Sequence, residues 1–129
     1  MKSILVNPGL PSALVEISIE ELYSVLGCIS FAYPYDDPVC FAHDDNGIAN
    51  RRAPNRTVNG QIIPGPFYVL GVSESGELMD LAPDLQEKYL SLFNTPECFP
   101  PGRWKVSAKT IETKNTMIIS IKSAWEVSP

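Results

Sequence analysis

Residues 43–71 read HDDNGIANRRAPNRTVNGQIIPGPFYVLG and contain the only histidine and three of the four arginines of the chain. Two Asn-Gly pairs lie in this stretch, at residues 46–47 and 59–60, and Asn-Gly is the dipeptide that most readily adopts the positive φ angles of a tight hairpin turn. The apolar run after the second pair is interrupted by prolines up to Pro66, so it predicts a strand from Phe67 to Val72. We expect this strand to lie at the centre of a sheet, buried on both faces.

The residues between the two turns form a polar stretch that is interrupted by Pro54. Such a run is too polar and too broken for a packed core, and it predicts an exposed, ordered loop. Because we place this loop outside the core, we expect each arginine in it to tolerate replacement by alanine without loss of the fold. The side chains of the loop that can bind a ligand are Asn50, Arg51, Arg52, Asn55 and Arg56.

The segment before residue 43 predicts two hairpins around a short helix. Ser18 followed by Glu21 is the pattern of a capping box, and the apolar positions that follow predict a helix from Ile19 to Leu26, which Gly27 ends. Alternating apolar residues predict four strands, at Lys2–Asn7, Ala13–Ile17, Cys28–Tyr35 and Val39–His43.

The segment after residue 72 predicts a second helix and a last hairpin. The helix runs from Leu81 to Asn94, because its apolar residues recur at a helical spacing and Pro83 occupies the first turn. The hairpin consists of Trp104–Lys114 and Thr116–Trp125. Together these elements predict an α+β fold, in which two helices pack against a mainly antiparallel sheet.

The length of 129 residues and the hydrophobic content of 44% are those of a single domain, residues 1–129, that can bury a core without metal or disulfides. No apolar run approaches the ~20 residues of a membrane-spanning helix, and Asn7 interrupts the apolar start before it reaches the length of a signal peptide. We therefore expect a cytoplasmic protein with no membrane partner. The three cysteines have no CxxC spacing, so we expect them to be reduced, with Cys28 and Cys40 in the core.

The formal net charge of −5 is unevenly distributed along the chain. Residues 1–50 contain one basic and seven acidic side chains, whereas residues 99–129 contain five basic and two acidic side chains. Affinity for duplex nucleic acid comes mainly from clustered Lys and Arg, and acidic neighbours repel the phosphate backbone. The charge pattern therefore disfavours duplex nucleic acid as a partner, although three arginines in one loop can still hold a small anion.

The arginine-rich loop is the strongest candidate site for a small anionic nucleotide ligand. A guanidinium group binds phosphate through two parallel hydrogen bonds, and an Asn side-chain amide can bind the edge of a base. Tyr33, Tyr35 and Phe67 would supply stacking surfaces if the sheet brings them near the loop. An alternative stays open, in which the arginines satisfy Asp44 and Asp45 or form a contact between subunits.

No recognisable catalytic, metal or cofactor motif accompanies this loop. His43 beside Asp44 is the pattern of a base with an orienting partner, but the sequence has no nucleophile elbow and no second histidine. A lone histidine also leaves no ligand cluster for zinc. We therefore expect a protein that is not an enzyme and that uses neither a metal nor a cofactor.

Four segments show a family resemblance: residues 32–38 (AYPYDDP), Asn46-Gly47 with Pro54-Asn55-Arg56, residues 62–71 (IIPGPFYVLG) and residues 85–93 (LQEKYLSLF). In these segments the chain resembles a family of small proteins of unknown function that are encoded by phages and conjugative elements of Gram-positive bacteria, often beside antirestriction genes. The chain departs from the family pattern at residues 64–66 and 57–60, and the resemblance does not extend to Trp104 and beyond. It implies no catalytic residues, but it implies a setting of interference with host defence.

Two functions from different classes follow. In the first, the protein is a phage or mobile-element anti-defence protein in the cytoplasm of the infected or host bacterium, where it sequesters a nucleotide-derived immune signal without cleaving it. In the second, the acidic first half imitates nucleic acid and inhibits a host defence or DNA-processing enzyme by direct binding. Sequestration favours a homo-oligomer, since a subunit boundary can enclose a small ligand more completely than one flat sheet.

Overall fold

The computed structural model describes residues 1–99, which form a single α+β domain with a mainly antiparallel six-stranded sheet, a two-stranded sheet and two helices. The predicted fold class is confirmed, whereas the predicted hairpin at Trp104–Lys114 and Thr116–Trp125 lies outside the described residues. The strands are β1 (Lys2–Val6), β2 (Ala13–Glu16), β3 (Ile29–Ala32), β4 (Val39–Asp44), β5 (Pro54–Val58), β6 (Gln61–Pro64), β7 (Phe67–Val72) and β8 (Leu78–Met79). The helices are α1 (Ile19–Leu26) and α2 (Pro83–Leu92).

Strand β7 lies in the middle of the large sheet, as its apolar sequence predicts. The strand order β2-β1-β7-β4-β3 places it between the two predicted hairpins, and β8 pairs with its last two residues. Val69 pairs with Ile4 of β1 on one side and with Phe41 of β4 on the other. Its first five residues are all buried, because one helix covers each face of the sheet.

Helix α2 is held on one face of the sheet by a cluster of aromatic rings. Phe41 of β4 stacks on Phe67 of β7 with ring centroids 5.4 Å apart, and both rings meet Phe93, just after α2, edge-on. Tyr89 also meets Phe41 edge-on, at 6.0 Å. Such pairs add about 0.5–1.5 kcal/mol each beyond the burial of their surfaces. The β5–β6 hairpin joins this same core through Val58 and Ile63.

Helix α1 covers the opposite face. Leu22 and Leu26 are its buried residues, and they belong to one apolar cluster with Cys40, Tyr68 and Leu70 of the central strands. Side chains alternate along a strand, so Cys40 faces α1 whereas its neighbour in β4 faces α2. The sheet is therefore covered on both faces.

The polar stretch between the two Asn-Gly pairs differs from the prediction. Residues 54–58 form strand β5, which pairs with β6 in a hairpin, where the polar composition predicts a loop. The turn of this hairpin is the second Asn-Gly pair, with φ angles of 50° at Asn59 and 76° at Gly60. That turn is confirmed, and the strand before it was missed because polar side chains in a short strand resemble a loop.

The first Asn-Gly pair does not form the predicted tight turn, since neither Asn46 nor Gly47 has a positive φ angle. The chain instead makes consecutive turns, in which the N–H of Asn50 donates to the carbonyl of Asn46 at 2.8 Å and the N–H of Arg52 donates to that of Gly47 at 2.9 Å. A Cβ atom at Gly47 would lie 3.1 Å from the carbonyl oxygen of Pro64. Close packing against β6 therefore explains the glycine.

Two further predictions need correction. Helix α2 begins at Pro83 rather than Leu81, because the N–H of Leu81 donates to the carbonyl of Lys2 at 2.9 Å. Cys28 is exposed rather than in the core, whereas Cys40 is buried as predicted, and burial raises the pKa of its thiol to about 11. Neither helix of the described region has the length and apolar content needed to cross a membrane.

Replacing Ser18 with alanine is expected to lower the free energy of unfolding by about 1 kcal/mol. The predicted capping box is present: the Ser18 hydroxyl accepts the N–H of Glu21 at 3.1 Å, and the Glu21 carboxylate accepts the N–H of Ser18 at 3.2 Å. Urea unfolding followed by circular dichroism measures the change. Ser18→Asp is the matched control, because Asp is an equally good cap; an alanine variant as stable as this control would contradict the role of the box.

Candidate functional site

The turns after β4 are organised around the carboxylate of Asp44, which is almost completely buried. Its Oδ2 accepts hydrogen bonds from Arg52 Nε at 2.6 Å and from Asn50 Nδ2 at 2.9 Å, and its Oδ1 accepts the N–H of Asn46 at 2.8 Å. Burial acts to raise the pKa of Asp44, but these hydrogen bonds outweigh it and hold the pKa below its ordinary value. The alternative in which the arginines of this stretch form ion pairs with its acidic residues therefore holds for Arg52, which pairs with Asp44.

The Arg52 side chain is fixed by further contacts. Its Nη2 donates to the carbonyl of Val25 at 3.2 Å, at the end of α1. Its stem lies over Gly65, where an added Cβ atom would be 3.1 Å from the Cβ of Arg52. Two of the three guanidinium nitrogens thus already donate within the protein, so a phosphate would have to compete with Asp44 and Val25 for them.

Arg56 is buried, with 2% of its surface exposed, although its sequence context predicts an exposed loop. Its Nη2 donates to the carbonyls of Leu10 at 2.6 Å and Phe93 at 2.9 Å, and its Nη1 reaches the carbonyl of Asn7 at 3.3 Å. Burial lowers the pKa of the guanidinium, and the charge of Glu97 raises it. Arg56 therefore joins β5 to two other chain segments, the β1–β2 connection and the end of α2, through their carbonyls.

Asn55 is fully buried beside it. Its Nδ2 donates to the carbonyls of Val6 at 2.7 Å and Gly65 at 2.8 Å, and its Oδ1 accepts from Arg56 Nη1 at 2.9 Å. The prediction that this part of the stretch lies outside the core is wrong for Asn55 and Arg56. Both side chains satisfy main-chain groups that no other side chain reaches in the described residues.

The remaining predicted site residues are not brought together. Arg51 is exposed and has a φ of 57°, and Asn50 is exposed with its amide on Asp44. Phe67 is completely buried in the aromatic cluster, so it offers no surface for stacking, and Tyr35 is half-buried against Phe41 and Tyr89. The structure therefore leaves Arg51 and Asn50 as the solvent-facing members of the predicted set.

A cleft of about 440 Å³ lies between the β3–β4 edge of the large sheet and the β5–β6 hairpin. Tyr33, at its rim, is 62% exposed. Asn59, at the tip of the hairpin, donates through Nδ2 to the carbonyl of Pro34 at 2.6 Å, which ties the hairpin to the chain that follows β3. The cleft is lined by Phe31, Ala32, Tyr33, Pro34, Phe41, His43, Val58, Asn59, Gln61, Ile62 and Ile63.

His43 lines this cleft and is itself buried. Its Nδ1 lies 3.3 Å from the carbonyl oxygen of Asp44, which favours a proton on Nδ1 and leaves Nε2 as a hydrogen-bond acceptor. Burial lowers the pKa of the ring, although the Asp44 carbonyl and the charges of Asp45 and Asp44 act in the opposite direction. The His43 imidazole that lines the cleft is therefore neutral at neutral pH.

The residues that line the cleft are uncharged when His43 is neutral, although residues 1–99 carry five basic and thirteen acidic side chains, a net charge of −8. Aromatic rings and amides face a space that the surrounding carboxylates do not enter. Among the lining residues, the sequence patterns point to Tyr33 and His43 but not to Asn59 and Gln61. The second Asn-Gly pair was the available signal, since a hairpin turn there puts Asn59 and Gln61 on either side of Gly60.

The chain belongs to the family described as Domain of unknown function (DUF3846), whose model matches residues 1–94. That match includes every helix and strand of the described structure. Comparisons with curated proteins and with solved structures give no match. The family description specifies no activity, so the geometry of the site is the basis for a functional proposal.

Replacing Arg56 with alanine is expected to lower the free energy of unfolding by ~3 kcal/mol or more, because the carbonyls of Leu10 and Phe93 would lose this donor inside the protein. Arg51→Asn is the control: it also removes a guanidinium, and Asn tolerates the positive φ angle at that position. We expect the control to change stability by no more than ~0.5 kcal/mol. Equal stability of the two variants in urea unfolding would contradict the buried role of Arg56.

Stability is also expected to fall as the pH drops from neutral toward pH ~5. The pKa of His43 is lowered in the folded protein from its ordinary value of 6.5. The unfolded chain therefore binds this proton more readily, so the stabilising contribution is complete above the ordinary pKa and is lost as the pH falls below it. Unfolding curves across this range should show a weaker pH dependence for His43→Gln than for the parent, and an unchanged slope would contradict the assignment.

Proposed function

We propose that the protein is a non-enzymatic binding protein that holds a nucleotide-derived ligand in the cleft between the β3–β4 edge and the β5–β6 hairpin. The cleft itself is the observation that supports this proposal. Its volume of about 440 Å³ lies within the ~300–1,000 Å³ typical of small-molecule sites. Its lining of apolar side chains with a few polar groups is the usual composition of such sites.

The base of the ligand stacks on Tyr33 in this proposal. An exposed aromatic ring at the rim of a cleft accepts any base on its face, and stacking contributes about 1–3 kcal/mol per base. Three polar side-chain groups can bind the edge of the base: the Oδ1 atom of Asn59, the amide of Gln61 and the Nε2 acceptor of His43. Together they offer both donors and acceptors, as a purine or pyrimidine edge requires.

The phosphate is assigned to Arg51 alone rather than to a clamp of three arginines, because the Asn50 amide already donates to Asp44 at 2.9 Å. Arg52 and Arg56 already donate to Asp44 and to main-chain carbonyls, whereas Arg51 is exposed. Arg51 lies in the turns after β4, outside the residues that line the cleft, and β4 contributes His43 to that lining. A guanidinium group in that position can bind a phosphate that projects from the cleft.

The biological part of the proposal is sequestration of an immune signal, without cleavage, by an anti-defence protein of a phage or mobile element. Its support is the sequence resemblance to proteins encoded beside antirestriction genes. Binding without turnover would lower the free concentration of the signal in proportion to the amount of protein made. A homo-oligomer in the cytoplasm of the infected or host cell belongs to the same proposal.

The test is a thermal-shift screen of cyclic dinucleotides, cyclic oligonucleotides and cyclic ADP-ribose isomers, followed by recovery of the bound compound after heating. A stabilising compound that is recovered intact supports sequestration. A recovered cleavage product would make the protein an enzyme. A screen in which none of these compounds raises the melting temperature would contradict the nucleotide proposal.

Tyr33→Ala is expected to weaken binding of a compound found in this screen about tenfold or more, because the stacking contribution is lost. Tyr23→Ala is the matched control, since Tyr23 is 53% exposed on α1, away from the cleft. Arg51→Asn should weaken binding to a similar extent through loss of a charge-assisted contact, and Lys2→Asn controls for the change in net charge. Isothermal titration calorimetry measures the affinity of each variant and of its control. Equal affinities of a variant and its control would contradict the role assigned to Tyr33 or to Arg51.

A second candidate function is direct inhibition of a host enzyme by an acidic surface, and the placement of the basic side chains favours it. Among residues 1–99, Arg52 is paired with Asp44 and Lys88 with Asp37, at 2.6 Å each, and Arg56 is buried. The solvent therefore meets an excess of carboxylates, which can imitate a phosphate array. Inhibition of a DNA-processing enzyme that weakens steeply with added salt, together with a negative nucleotide screen, would favour this function.

A further inference from the structure

Strand β2 is an edge strand of the large sheet, and within residues 1–99 its strand partner is β1. The amine of Met1 donates to the carbonyl of Ile17 at 2.7 Å, and the N–H of Ile17 donates back at 2.9 Å. Such exchanges recur at every second residue of an antiparallel ladder, so the N–H and C=O groups of Leu14 and Glu16 point away from β1. The edge thus presents main-chain groups on which another strand can add.

Exposed leucines lie beside this edge. Leu14 pairs with Ile4 across the hairpin, so its side chain is on the α2 face of the sheet. Ser12 Oγ donates to the carbonyl of Leu90 at 2.7 Å, which brings the end of α2 to the same edge. An edge flanked by apolar side chains is a surface that natural sheets normally cover. The exposed leucines are Leu10 at 53%, Leu14 at 47% and Leu92 at 50%.

The β2 edge is also nearly free of repulsive charge. This difference favours β2 over β3, the other edge of the sheet, as the place where two copies of the chain can pair. Glu16 is the charged residue of β2, and its carboxylate lies 3.4 Å from the Met1 amine. At the other edge, Asp45 donates its N–H to Cys28 just before β3, and the exposed Asp36 follows the strand. Two copies of this acidic domain therefore repel each other less at β2 than at β3.

We infer that β2 pairs antiparallel with β2 of a second copy of this chain about a two-fold axis, so that one sheet runs through both subunits. In the register that places Leu14 opposite Leu14 of the partner subunit, the leucines meet on the α2 face. Glu16 then lies opposite Ser12 of the partner subunit rather than opposite a carboxylate. The pairing satisfies the outward main-chain groups and buries apolar surface in the same contact.

Light scattering of the full chain tests this, and a dimeric mass is the expected result. Leu14→Pro is the most selective variant, because it removes an outward N–H while Ala13 and Val15 keep their hydrogen bonds to β1. We expect this variant to be monomeric, with the circular dichroism spectrum of the parent. A monomeric parent would overturn the inference, as would a Leu14→Pro variant that folds and remains dimeric.

Leu14→Glu is the second variant, so the test stands even if proline disrupts β2. In the inferred register it places two carboxylates opposite each other, and like charges in that position are destabilising. Tyr23→Glu is the matched control, since it adds the same charge at an equally exposed apolar residue on α1. Dissociation by Leu14→Glu but not by Tyr23→Glu supports the β2 interface. A dimer that persists in Leu14→Glu, or that dissociates equally in both variants, contradicts it.

Discussion

The buried guanidinium of Arg56 is the contact on which the arrangement of the described domain depends. Taking a charged group out of water costs several kcal/mol, and a charge without a carboxylate partner at ion-pair distance needs hydrogen bonds to offset that cost. Carbonyls of Leu10, Asn7 and Phe93, together with Asn55, accept from the two Nη atoms, whereas the buried Nε has no hydrogen-bond partner within residues 1–99. The β1–β2 connection, β5 and the end of α2 therefore meet at one point, because each of them takes part in the hydrogen bonds of this one side chain.

This contact also holds one wall of the cleft in place, because the β5–β6 hairpin forms that wall. Arg56 lies on β5, so it fixes one strand of the hairpin against the core. The hairpin is held at two further places, where Asn59 donates to the carbonyl of Pro34 and where the N–H of Thr57 donates to the Glu97 carboxylate at 2.6 Å. A wall secured in this way keeps its position relative to the sheet. Preorganisation of this kind reduces the entropy that binding would otherwise cost.

The parts of the fold that follow from local sequence patterns could be predicted, and the parts that depend on distant partners could not. The capping box at Ser18 and the strand at Phe67–Val72 depend on residues that are neighbours in sequence, and both are present. The burial of Arg56 depends on carbonyls up to 49 residues away in sequence, and main-chain oxygens leave no mark in the sequence. For the same reason the arginines were assigned to a ligand, although Asp44 and the core already use two of them.

Apart from Asn55 Oδ1, the partners of Arg56 are main-chain oxygens, which every residue type possesses, and this has a consequence for the evolution of the chain. As far as this contact is concerned, the side chains at positions 7, 10 and 93 are free to change. The number of residues between positions 7 and 10 is not free to change, since an insertion or deletion there would shift the carbonyl oxygen of residue 7 relative to that of residue 10. Related sequences should thus tolerate substitutions in this connection far better than changes in its length.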